Sequence, residues 1–441
     1  MWSSSQVLPI FEDGFLSILF YFSYFNPKIP QGIPYFIYVR NLILGRKIME
    51  YKYLIFVEGD ANHNKFYEMV PNGSGFTVKY GRVGAKVTEV TYSAGDFDKK
   101  LREKLRKGYQ DVTHLHKKSA EITWLKENDV ACEDLISFLL SVCRQKIADN
   151  YDCSADAITP EMVDAAQQVL SAISVSDKSD RINEQLEKLF QILPRKMQNV
   201  STYLVDSSYD KKAKERVLQR EQDLLDTLAG QVKANAVTKK VAEEGKQTTL
   251  LGAFNTSIRI ATDDEKKIVY EKLGSFKDKV YQVYAVTNNN TEEKFKKWSG
   301  HGKKTNLLWH GSRTENWLSI AATGLSLTPN AVITGKMFGY GIYFAPSPNK
   351  SAGYTDMKGS RWANGHGGRS FLGLFEVHTG KSWKVSTHEY DYCSMNLDRL
   401  HKKGDYDSMW ADSSKGMLHA DEVIVYDDSQ ASIRFLVELN Q

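Results

Sequence analysis

The chain has 441 residues, of which 41% are hydrophobic, and a formal net charge of +4 at pH 7. This length and composition predict two to four domains with proper hydrophobic cores, and the small charge excludes a generally polybasic surface. Four cysteines, Cys132, Cys143, Cys153 and Cys393, lie far apart and lack the paired spacing of zinc ligands. We therefore expect reduced thiols in an intracellular protein and no metal site.

Residues 1–48 do not match the rest of the chain. Their apolar stretch, residues 15–25, is too short to span a bilayer, and no Lys or Arg precedes it as in a secretory signal. We expect a non-native or disordered extension, with Met49 as the natural start and no membrane segment. Residues 45–47 suit a purine-rich ribosome-binding site, and pyrimidine-rich codons there would remove this argument. A buried N-terminal extension is the alternative.

Residues 49–125 are predicted to form a small β-rich domain. The predicted strands are residues 53–57, 65–70 and 76–80, and a hairpin turn is expected at residues 72–73. The third strand runs into Tyr80, Gly81 and Arg82. An aromatic ring beside a guanidinium that can donate two hydrogen bonds suits a nucleotide and its phosphate.

A basic segment follows at residues 97–118, where a helix is predicted. It contains eight Lys or Arg residues against three Asp or Glu residues. Such a run is usually a solvated helix face. Because it lies close to Arg82 in the sequence, we favour contact with DNA phosphates, which would recognise ends or nicks without reading base sequence.

Residues 130–236 have helical periodicity and few strand signals. Helices are predicted at residues 133–140, from Thr159 and Pro160 onward, along the apolar face of Ile182, Leu186, Leu189 and Phe190, and at residues 211–232. The charged residues 239–246 indicate a linker, which we place at residues 237–254.

Four short segments within residues 255–441 carry the candidate chemistry. They contain His310, Gly311 and Ser312; Tyr343, Phe344 and Ala345; Lys350, Ser351 and Tyr354; and Glu422. His310 follows an apolar run and is expected to end a buried strand, whereas Glu422 is expected to open a strand at the lip of a cleft. Further strands are predicted at residues 372–377 and 435–439. Taken singly, each residue has a plainer explanation, such as a structural histidine, a solvated acid or a core tyrosine.

The four segments, in this order, closely resemble the catalytic domain of the poly(ADP-ribose) polymerases, a family with a His-Tyr-Glu triad, over roughly residues 255–441. The resemblance implies a mixed α/β domain with antiparallel sheets and NAD⁺ as substrate, with His310, Tyr343 and Glu422 as catalytic residues. It also implies that His310 holds the adenine-side ribose. The backbone of Gly311 and the hydroxyl of Ser351 would clamp the nicotinamide carboxamide.

The same resemblance implies aromatic faces from Tyr343 and Tyr354 around the pyridinium, and places Lys350 beside the active site. The remaining binding residues that it implies are Ser312, Phe344 and Ala345. Nicotinamide leaves as a neutral molecule and the ribose becomes oxocarbenium-like, so the site needs orientation and negative charge more than a strong nucleophile. Glu422 would hold the 2′-hydroxyl of the nicotinamide ribose and stabilise this positive charge. No metal is expected.

Two positions depart from the family pattern. Ser326 stands where an arginine that reaches the adenosine half of NAD⁺ is frequent, and Lys336 replaces a frequent aromatic residue. The stretch of chain between Ser326 and Lys336 is slightly shorter than in the family pattern. These departures concern the adenosine contacts and leave the nicotinamide end intact.

The N-terminal domain resembles the Trp-Gly-Arg domain, with Tyr80 in place of the tryptophan, and residues 130–236 resemble the family's helical regulatory domain. The resemblance implies a multidomain α+β protein: a small β-rich Trp-Gly-Arg-like domain, an all-α regulatory bundle and a mixed α/β ADP-ribosyltransferase catalytic domain. In the family, the helical part obstructs NAD⁺ until DNA loosens it, which requires a closed state favoured by only a few kcal/mol. A helical scaffold without gating is the alternative.

We therefore expect a protein ADP-ribosyltransferase of the poly type that DNA strand breaks or ends activate. Its partners would be DNA and acceptor proteins including itself, and it would be monomeric off DNA. It would act in the nucleus of a eukaryote, or in the cytoplasm or nucleoid of a bacterium. The alternatives are a mono-ADP-ribosyltransferase and a DNA-end binding protein with a vestigial catalytic domain. Hydride transfer is disfavoured because no Gly-x-Gly-x-x-Gly motif follows a strand.

Overall fold

The structure, a computed structural model, describes residues 49–440 apart from Asp60 and residues 117–121, 175, 177, 207–210, 328–336 and 361–367. The predictions for residues 1–48, Lys117, Lys118 and Lys336 lie outside the described residues. Among the residues that the structure describes, no helix is both long and apolar enough to cross a membrane.

The N-terminal module is a five-stranded antiparallel sheet in the order β4-β3-β2-β1-β5. Its strands are β1 (Lys52–Glu58), β2 (His63–Pro71), β3 (Gly75–Arg82), β4 (Thr88–Ser93) and β5 (Gln110–Asp111). Alternate residues face two small cores, one around Leu54 and Phe76 and the other around Ile55 and Phe66. The three predicted strands and the turn at residues 72–73 are confirmed, and Asn72 accepts a hydrogen bond from the Gly75 amide.

The basic segment forms a shorter helix than predicted. Helix α1 (Phe97–Arg106) ends two residues before Gly108, which has a φ of +85°. The chain then turns back and pairs β5 with β1. The ring of Tyr109 stacks on Phe56 at a centroid distance of 5.4 Å. This packing against the sheet ends the helix earlier than the run of basic residues predicted.

In the middle of the chain, the described residues form four α-helices. They are α2 (Val130–Asn150), α3 (Pro160–Ser174), α4 (Ser179–Ile192) and α5 (Lys211–Glu243). The Asp129 carboxylate caps α2 by accepting hydrogen bonds from the amides of Ala131 and Cys132. Thr159 accepts one from the Met162 amide at the start of α3, and the predicted apolar face of α4 is buried.

Two of these helices run further than predicted. Helix α2 spans 21 residues, and its first half packs into the core of the C-terminal unit while Cys143 and Ile147 pack into the helical core. Helix α5 continues to Glu243 instead of ending near residue 232. The first part of the predicted linker is therefore helical.

The C-terminal unit contains two sheets and several short helices. Its strands are β6 (Thr256–Ile260), β7 (Val280–Asn288), β8 (Thr305–Gly311), β9 (Ile342–Phe344), β10 (Ser370–His378), β11 (Ser382–Val385), β12 (Ser408–Ala411), β13 (Glu422–Val425) and β14 (Ala431–Leu439). Its helices are α6 (Leu250–Ala253), α7 (Asp263–Leu273), α8 (Asn289–Lys297), α9 (Trp317–Thr323), α10 (Pro348–Ala352) and α11 (Leu397–Gly404).

The first sheet has the order β6-β7-β14-β10-β8 and is antiparallel throughout. The second has the order β11-β12-β13-β9, and its β11–β12 pair is parallel, in contrast to the antiparallel sheets expected. The strands predicted at residues 372–377 and 435–439 are confirmed as the adjacent strands β10 and β14. Trp309 and Ala345 join the two sheets by exchanging backbone hydrogen bonds of 2.8 and 2.9 Å.

Candidate active site

Three neighbouring strands place the predicted His-Tyr-Glu residues at the junction of the two sheets. His310 lies near the end of β8, Tyr343 lies in the middle of β9, and Glu422 opens β13. Strand β9 connects them, because it pairs with β13 in the register Ile424 to Tyr343 and meets β8 through the bridge between Trp309 and Ala345. The site therefore forms where β9, a strand of the second sheet, contacts the end of β8, a strand of the first sheet.

His310 is fixed by one hydrogen bond and by aromatic rings. Its Nδ1 lies 2.9 Å from the backbone carbonyl of Tyr343, which can only accept, so Nδ1 carries the proton. The rings of Trp317, Phe344 and Phe375 face it edge-on at centroid distances of 5.7–6.5 Å. Burial among these rings lowers the pKa of His310. The neutral ring then presents Nε2 as an acceptor suited to a ribose hydroxyl.

Glu422 is held by a lysine from the adjacent helix. The Nζ atom of Lys350, on α10, lies 2.9 Å from Oε1 of Glu422, and their side chains are only 12% and 11% exposed. An ammonium group at this distance holds the carboxylate in one orientation.

Gly311 and Ser351 approach each other closely. A Cβ atom at Gly311 would overlap the backbone carbonyl oxygen of Ser351, so only glycine allows β8 and α10 to meet. Ser351 is buried, and its hydroxyl donates to the Trp309 carbonyl at 3.0 Å. This close backbone approach fixes the start of α10 against the end of β8.

The two tyrosines differ in exposure. The Tyr343 hydroxyl accepts from the Phe338 amide at 3.1 Å and donates to the Gly339 carbonyl at 2.9 Å, which fixes its ring. The Tyr354 ring is 42% exposed. Burial and the nearby charge of Glu422 raise the pKa of Tyr354 to about 12. Both phenols stay neutral, and their faces suit stacking on a cationic ring, worth about 0.5–2 kcal/mol each.

The other implied binding residues belong to the same framework. Phe344 is buried against His310, and Ala345 supplies the backbone bridge to Trp309. The Ser312 hydroxyl accepts a hydrogen bond of 3.0 Å from the Asn316 amide group. Ser326 is half-buried beyond α9.

Helices of the middle region contact the segment that follows Ser312. Thr227 of α5 donates to the Asn316 side chain at 2.9 Å, and Asn316 in turn donates to Ser312. Two ion pairs flank these contacts. Asp223 of α5 lies 3.7 Å from Arg313, and Lys146 of α2 lies 3.1 Å from Glu315. Sequence reasoning missed these contacts because the two sides are far apart in the chain.

The predicted DNA-binding residues lie at the end of β3. The Tyr80 ring is 38% exposed, and a Cβ atom at Gly81 would contact the Lys86 carbonyl oxygen at 2.8 Å. The Arg82 guanidinium donates to the backbone carbonyl of Asn62, whose side chain accepts a 2.7 Å hydrogen bond from the Val200 amide. Arg82 is therefore tied to the loop that contacts the helical region.

Family models match two parts of the chain. The model of the poly(ADP-ribose) polymerase catalytic domain matches residues 263–441, and the model of the WGR domain matches residues 51–115. These matches coincide with the C-terminal unit and the N-terminal sheet.

Curated relatives point the same way. The uncharacterized protein 101L of Invertebrate iridescent virus 6 is 32% identical over 178 residues, which cover 40% of this chain and 74% of that protein. Poly(ADP-ribose) polymerase 2 of Zea mays is 31% identical over 183 residues, 36% of this chain and 27% of that enzyme. Poly(ADP-ribose) polymerase 1 of Gallus gallus is 26% identical over 313 residues, 67% of this chain and 28% of that enzyme.

The chain thus spans little more than a quarter of the length of the two named polymerases. The match to the chicken enzyme nevertheless covers more residues than the catalytic model does. Together with the two family models, these relatives show that the protein belongs to the poly(ADP-ribose) polymerase family, with a WGR domain and an NAD⁺-dependent ADP-ribosyltransferase catalytic domain.

Proposed function

We propose that this protein transfers ADP-ribose from NAD⁺ to protein side chains, including its own, and extends the product into poly(ADP-ribose) when DNA breaks or ends engage its WGR domain. The observation that carries the proposal is the meeting of His310, Tyr343 and Glu422 on three neighbouring strands. The named relatives are poly(ADP-ribose) polymerases.

The reaction breaks the bond between the ribose anomeric carbon and the nicotinamide nitrogen. The bonding electrons leave with the ring, which departs as neutral nicotinamide, and positive charge develops on the ribose. The Glu422 carboxylate, fixed by Lys350 at 2.9 Å, would hold the 2′-hydroxyl and stabilise that charge. An acceptor hydroxyl then bonds to the anomeric carbon and releases its proton, for which Glu422 is the nearby base.

The remaining residues would hold the dinucleotide. His310 would accept a hydrogen bond from the adenine-side ribose at Nε2, because its Nδ1 is committed to Tyr343. The backbone of Gly311 and the hydroxyl of Ser351 would clamp the carboxamide, and Tyr343 and Tyr354 would flank the pyridinium ring. Ser312, Phe344 and Ala345 would complete the lining. This binding needs no group beyond those of the chain.

DNA control would act through α5. The contacts of Thr227 with Asn316 and of Asp223 with Arg313 connect this helix to the segment beside Ser312, which supports a closed state in which α5 restricts NAD⁺. On the other side, Tyr80, Gly81 and Arg82 would contact the phosphate backbone of the DNA. Engagement of DNA would then weaken the restraint through the Asn62 loop that Arg82 shares with Val200.

The test uses labelled NAD⁺ with and without nicked or blunt-ended DNA, comparing wild type with Glu422→Gln. We expect label on protein and free nicotinamide from wild type with DNA, and a loss of about 10²–10³-fold in the variant. Equal product from the Gln variant would remove Glu422 from catalysis. Incorporation that ignores DNA would end the gating proposal.

Product length separates the poly and mono activities. A ladder on a denaturing gel is expected for poly(ADP-ribose), whereas a single shifted band would indicate a mono-ADP-ribosyltransferase. A protein that binds DNA ends but never consumes NAD⁺ would indicate that the catalytic domain is vestigial.

A further inference from the structure

A group of two histidines and one aspartate lies apart from the residues assigned to NAD⁺. His301 follows α8, His401 lies on α11, and Asp407 immediately precedes β12. One potential ligand atom from each of the three lies within 4.8 Å of the others. His301 and Asp407 are separated by 106 positions, so no local motif reveals the group. Our expectation of no metal came from the cysteine spacing and from the family resemblance, neither of which concerns these three residues.

The spacing within the group suits a tetrahedral metal ion. The Nδ1 atom of His301 lies 3.2 Å from Oδ1 of Asp407. Two bonds of about 2.0–2.1 Å at a tetrahedral angle separate their ligand atoms by about 3.4 Å, so this pair already has the distance that zinc needs. The His401 ring lies 4.8 Å from the His301 ring, centroid to centroid, at an interplanar angle of 80°. A small rotation of the half-buried His401 side chain would close the third bond.

Asp407 is held in place before any ion arrives. It is 1% exposed, and its two carboxylate oxygens accept hydrogen bonds from the amides of His301 at 2.8 Å and Lys381 at 2.7 Å. The Lys381 ammonium donates elsewhere, to the Gly404 carbonyl. Within the described part of the chain, the ion-pair partner of this buried carboxylate is His301. A fixed carboxylate oxygen that makes no ion pair with a described Lys or Arg is a suitable metal ligand.

A second carboxylate stands behind the histidine. Oδ1 of Asp405 lies 3.7 Å from Nε2 of His301, on the side of the ring away from Asp407. When Nδ1 binds a metal, Nε2 carries the proton, and an acceptor on that side orients the ring and makes it more basic. Asp405 occupies the place of such an outer partner.

We propose that His301, His401 and Asp407 bind one divalent transition-metal ion, with Zn²⁺ as the best match, and leave a fourth position for water. Two imidazoles and a carboxylate are ligands that zinc accepts readily. The ion would join the loop after α8, helix α11 and the start of β12. Strand β12 pairs with β13 in the register Ala411 to Glu422, so the ion would brace the sheet that carries Glu422.

The test titrates Zn²⁺ into full-length, EDTA-treated protein from which any affinity tag has been removed, using calorimetry. We expect one ion per chain, and a thermal midpoint that rises by about 3–5 °C with excess Zn²⁺. His401→Ala should weaken binding by more than about tenfold. His114→Ala, an exposed histidine of the N-terminal module, is the matched control and should bind as wild type does.

Two further measurements keep the test decisive. Thermal midpoints of wild type and His401→Ala in EDTA should agree, which shows that the variant folds. Co²⁺ in place of Zn²⁺ should give the visible absorption of a tetrahedral site in wild type and lose it in His401→Ala. Absence of a stoichiometric site, or equal binding by His401→Ala, would overturn the proposal.

Discussion

The ion pair between Lys350 and Glu422 bears on both the stability of the fold and the proposed reaction. Both side chains are nearly buried, and the atoms lie 2.9 Å apart. Removal of one partner leaves the other charge poorly solvated, which costs about 1–3 kcal/mol. The lysine is therefore a positioning residue for the carboxylate that would contact the ribose.

Replacing Lys350 should affect both stability and turnover. We expect Lys350→Met to lower the free energy of unfolding by about 1–3 kcal/mol in urea titrations and to slow nicotinamide release, since Glu422 loses its orienting partner. Lys350→Arg, which retains the charge, should recover part of both losses. Lys358→Met, at an exposed position, is the control. Wild-type turnover in Lys350→Met would show that the pair does not position Glu422.

The partly buried ring of His310 predicts how stability depends on pH. Burial lowers its pKa in the folded protein, whereas the unfolded chain has the ordinary pKa of about 6.5. Between these two values the unfolded state binds more protons, so this contribution is complete above about pH 6.5 and is lost as pH falls. The thermal midpoint of wild type should therefore drop more steeply from pH 7.5 to 5.5 than that of His310→Gln.

The contributions of the other histidines to the pH dependence of the thermal midpoint cancel in this comparison. Burial also lowers the pKa of His116, but that residue is present in both proteins. His419→Gln, at an exposed position, should follow the wild-type slope. Parallel slopes for wild type and His310→Gln would contradict the account of a neutral, desolvated imidazole.

Among the elements, α5 and α9 form the contact through which the helical region reaches the active site. Gly230 of α5 lies against Ser319 of α9, and a Cβ atom at Gly230 would meet the Ser319 hydroxyl at 2.5 Å and its Cβ at 2.9 Å. The absence of a side chain at this one position lets the two helices approach. The same helix carries Thr227 and Asp223, which contact the segment after Ser312.

Gly230→Ala should separate the two helices. Alanine favours the helix itself by about 1 kcal/mol, so intrinsic propensity predicts a more stable α5, whereas the clash predicts a weaker interface. If α5 restricts NAD⁺, DNA-independent nicotinamide release should rise about fivefold or more. Adding Ser319→Gly removes both clashing atoms and should restore dependence on DNA. Lys239→Ala, exposed on the same helix, is the control, and unchanged DNA dependence in Gly230→Ala would argue against gating at this contact.

The element boundaries show which features the sequence could predict. Strands such as β1 and β10 were predicted because alternation and apolar runs are local signals. The predicted end of α1 was wrong because the observed end depends on Gly108 and on the packing of Tyr109 against Phe56. The predicted end of α5 was wrong because the charged residues 239–246 were interpreted as part of a linker, although the helix continues to Glu243 and Thr238 is buried.

The site could be predicted more fully than its surroundings. The predicted triad came from four short segments that together resemble the family's catalytic domain, so naming His310, Tyr343 and Glu422 needed no knowledge of packing, and their catalytic roles stay predictions. The resemblance placed Lys350 beside the active site but did not predict its ion pair with Glu422. That pair, like the group of His301, His401 and Asp407, joins residues that are distant in sequence. Pairings of this kind have no local signature.

At the scale of the whole molecule, the N-terminal sheet is attached to the helical region by buried polar contacts. The Asn64 side chain donates to the carbonyls of Arg195 and Met197 at 3.0 and 3.3 Å and is 2% exposed. Arg195 is itself buried, 3.3 Å from Glu221 of α5. A change in the position of the sheet can therefore reach α5 through only a few contacts.

Asn64→Ala should weaken this attachment without touching either ligand site. Loss of both hydrogen bonds leaves two buried carbonyls unpaired, at a cost of about 1–3 kcal/mol in the free energy of unfolding. We expect DNA affinity within about threefold of wild type, but a stimulation of nicotinamide release by DNA that falls about fivefold or more. Fluorescence anisotropy with nicked DNA and a turnover assay measure the two quantities. Thr91→Ala, on exposed β4, is the control, and full stimulation in Asn64→Ala would exclude this route.

The bridge between Trp309 and Ala345 has a consequence for anyone who wishes to redesign the enzyme. Besides the hydrogen bond from the His310 imidazole to the Tyr343 carbonyl, two bonds between peptide groups hold the histidine strand to the tyrosine strand. Mutagenesis cannot delete such bonds directly, so the spacing of the reacting groups should tolerate extensive recoding of the surrounding loops. Libraries aimed at a new acceptor can therefore vary those loops freely, provided that the volumes at these two positions still fit the core.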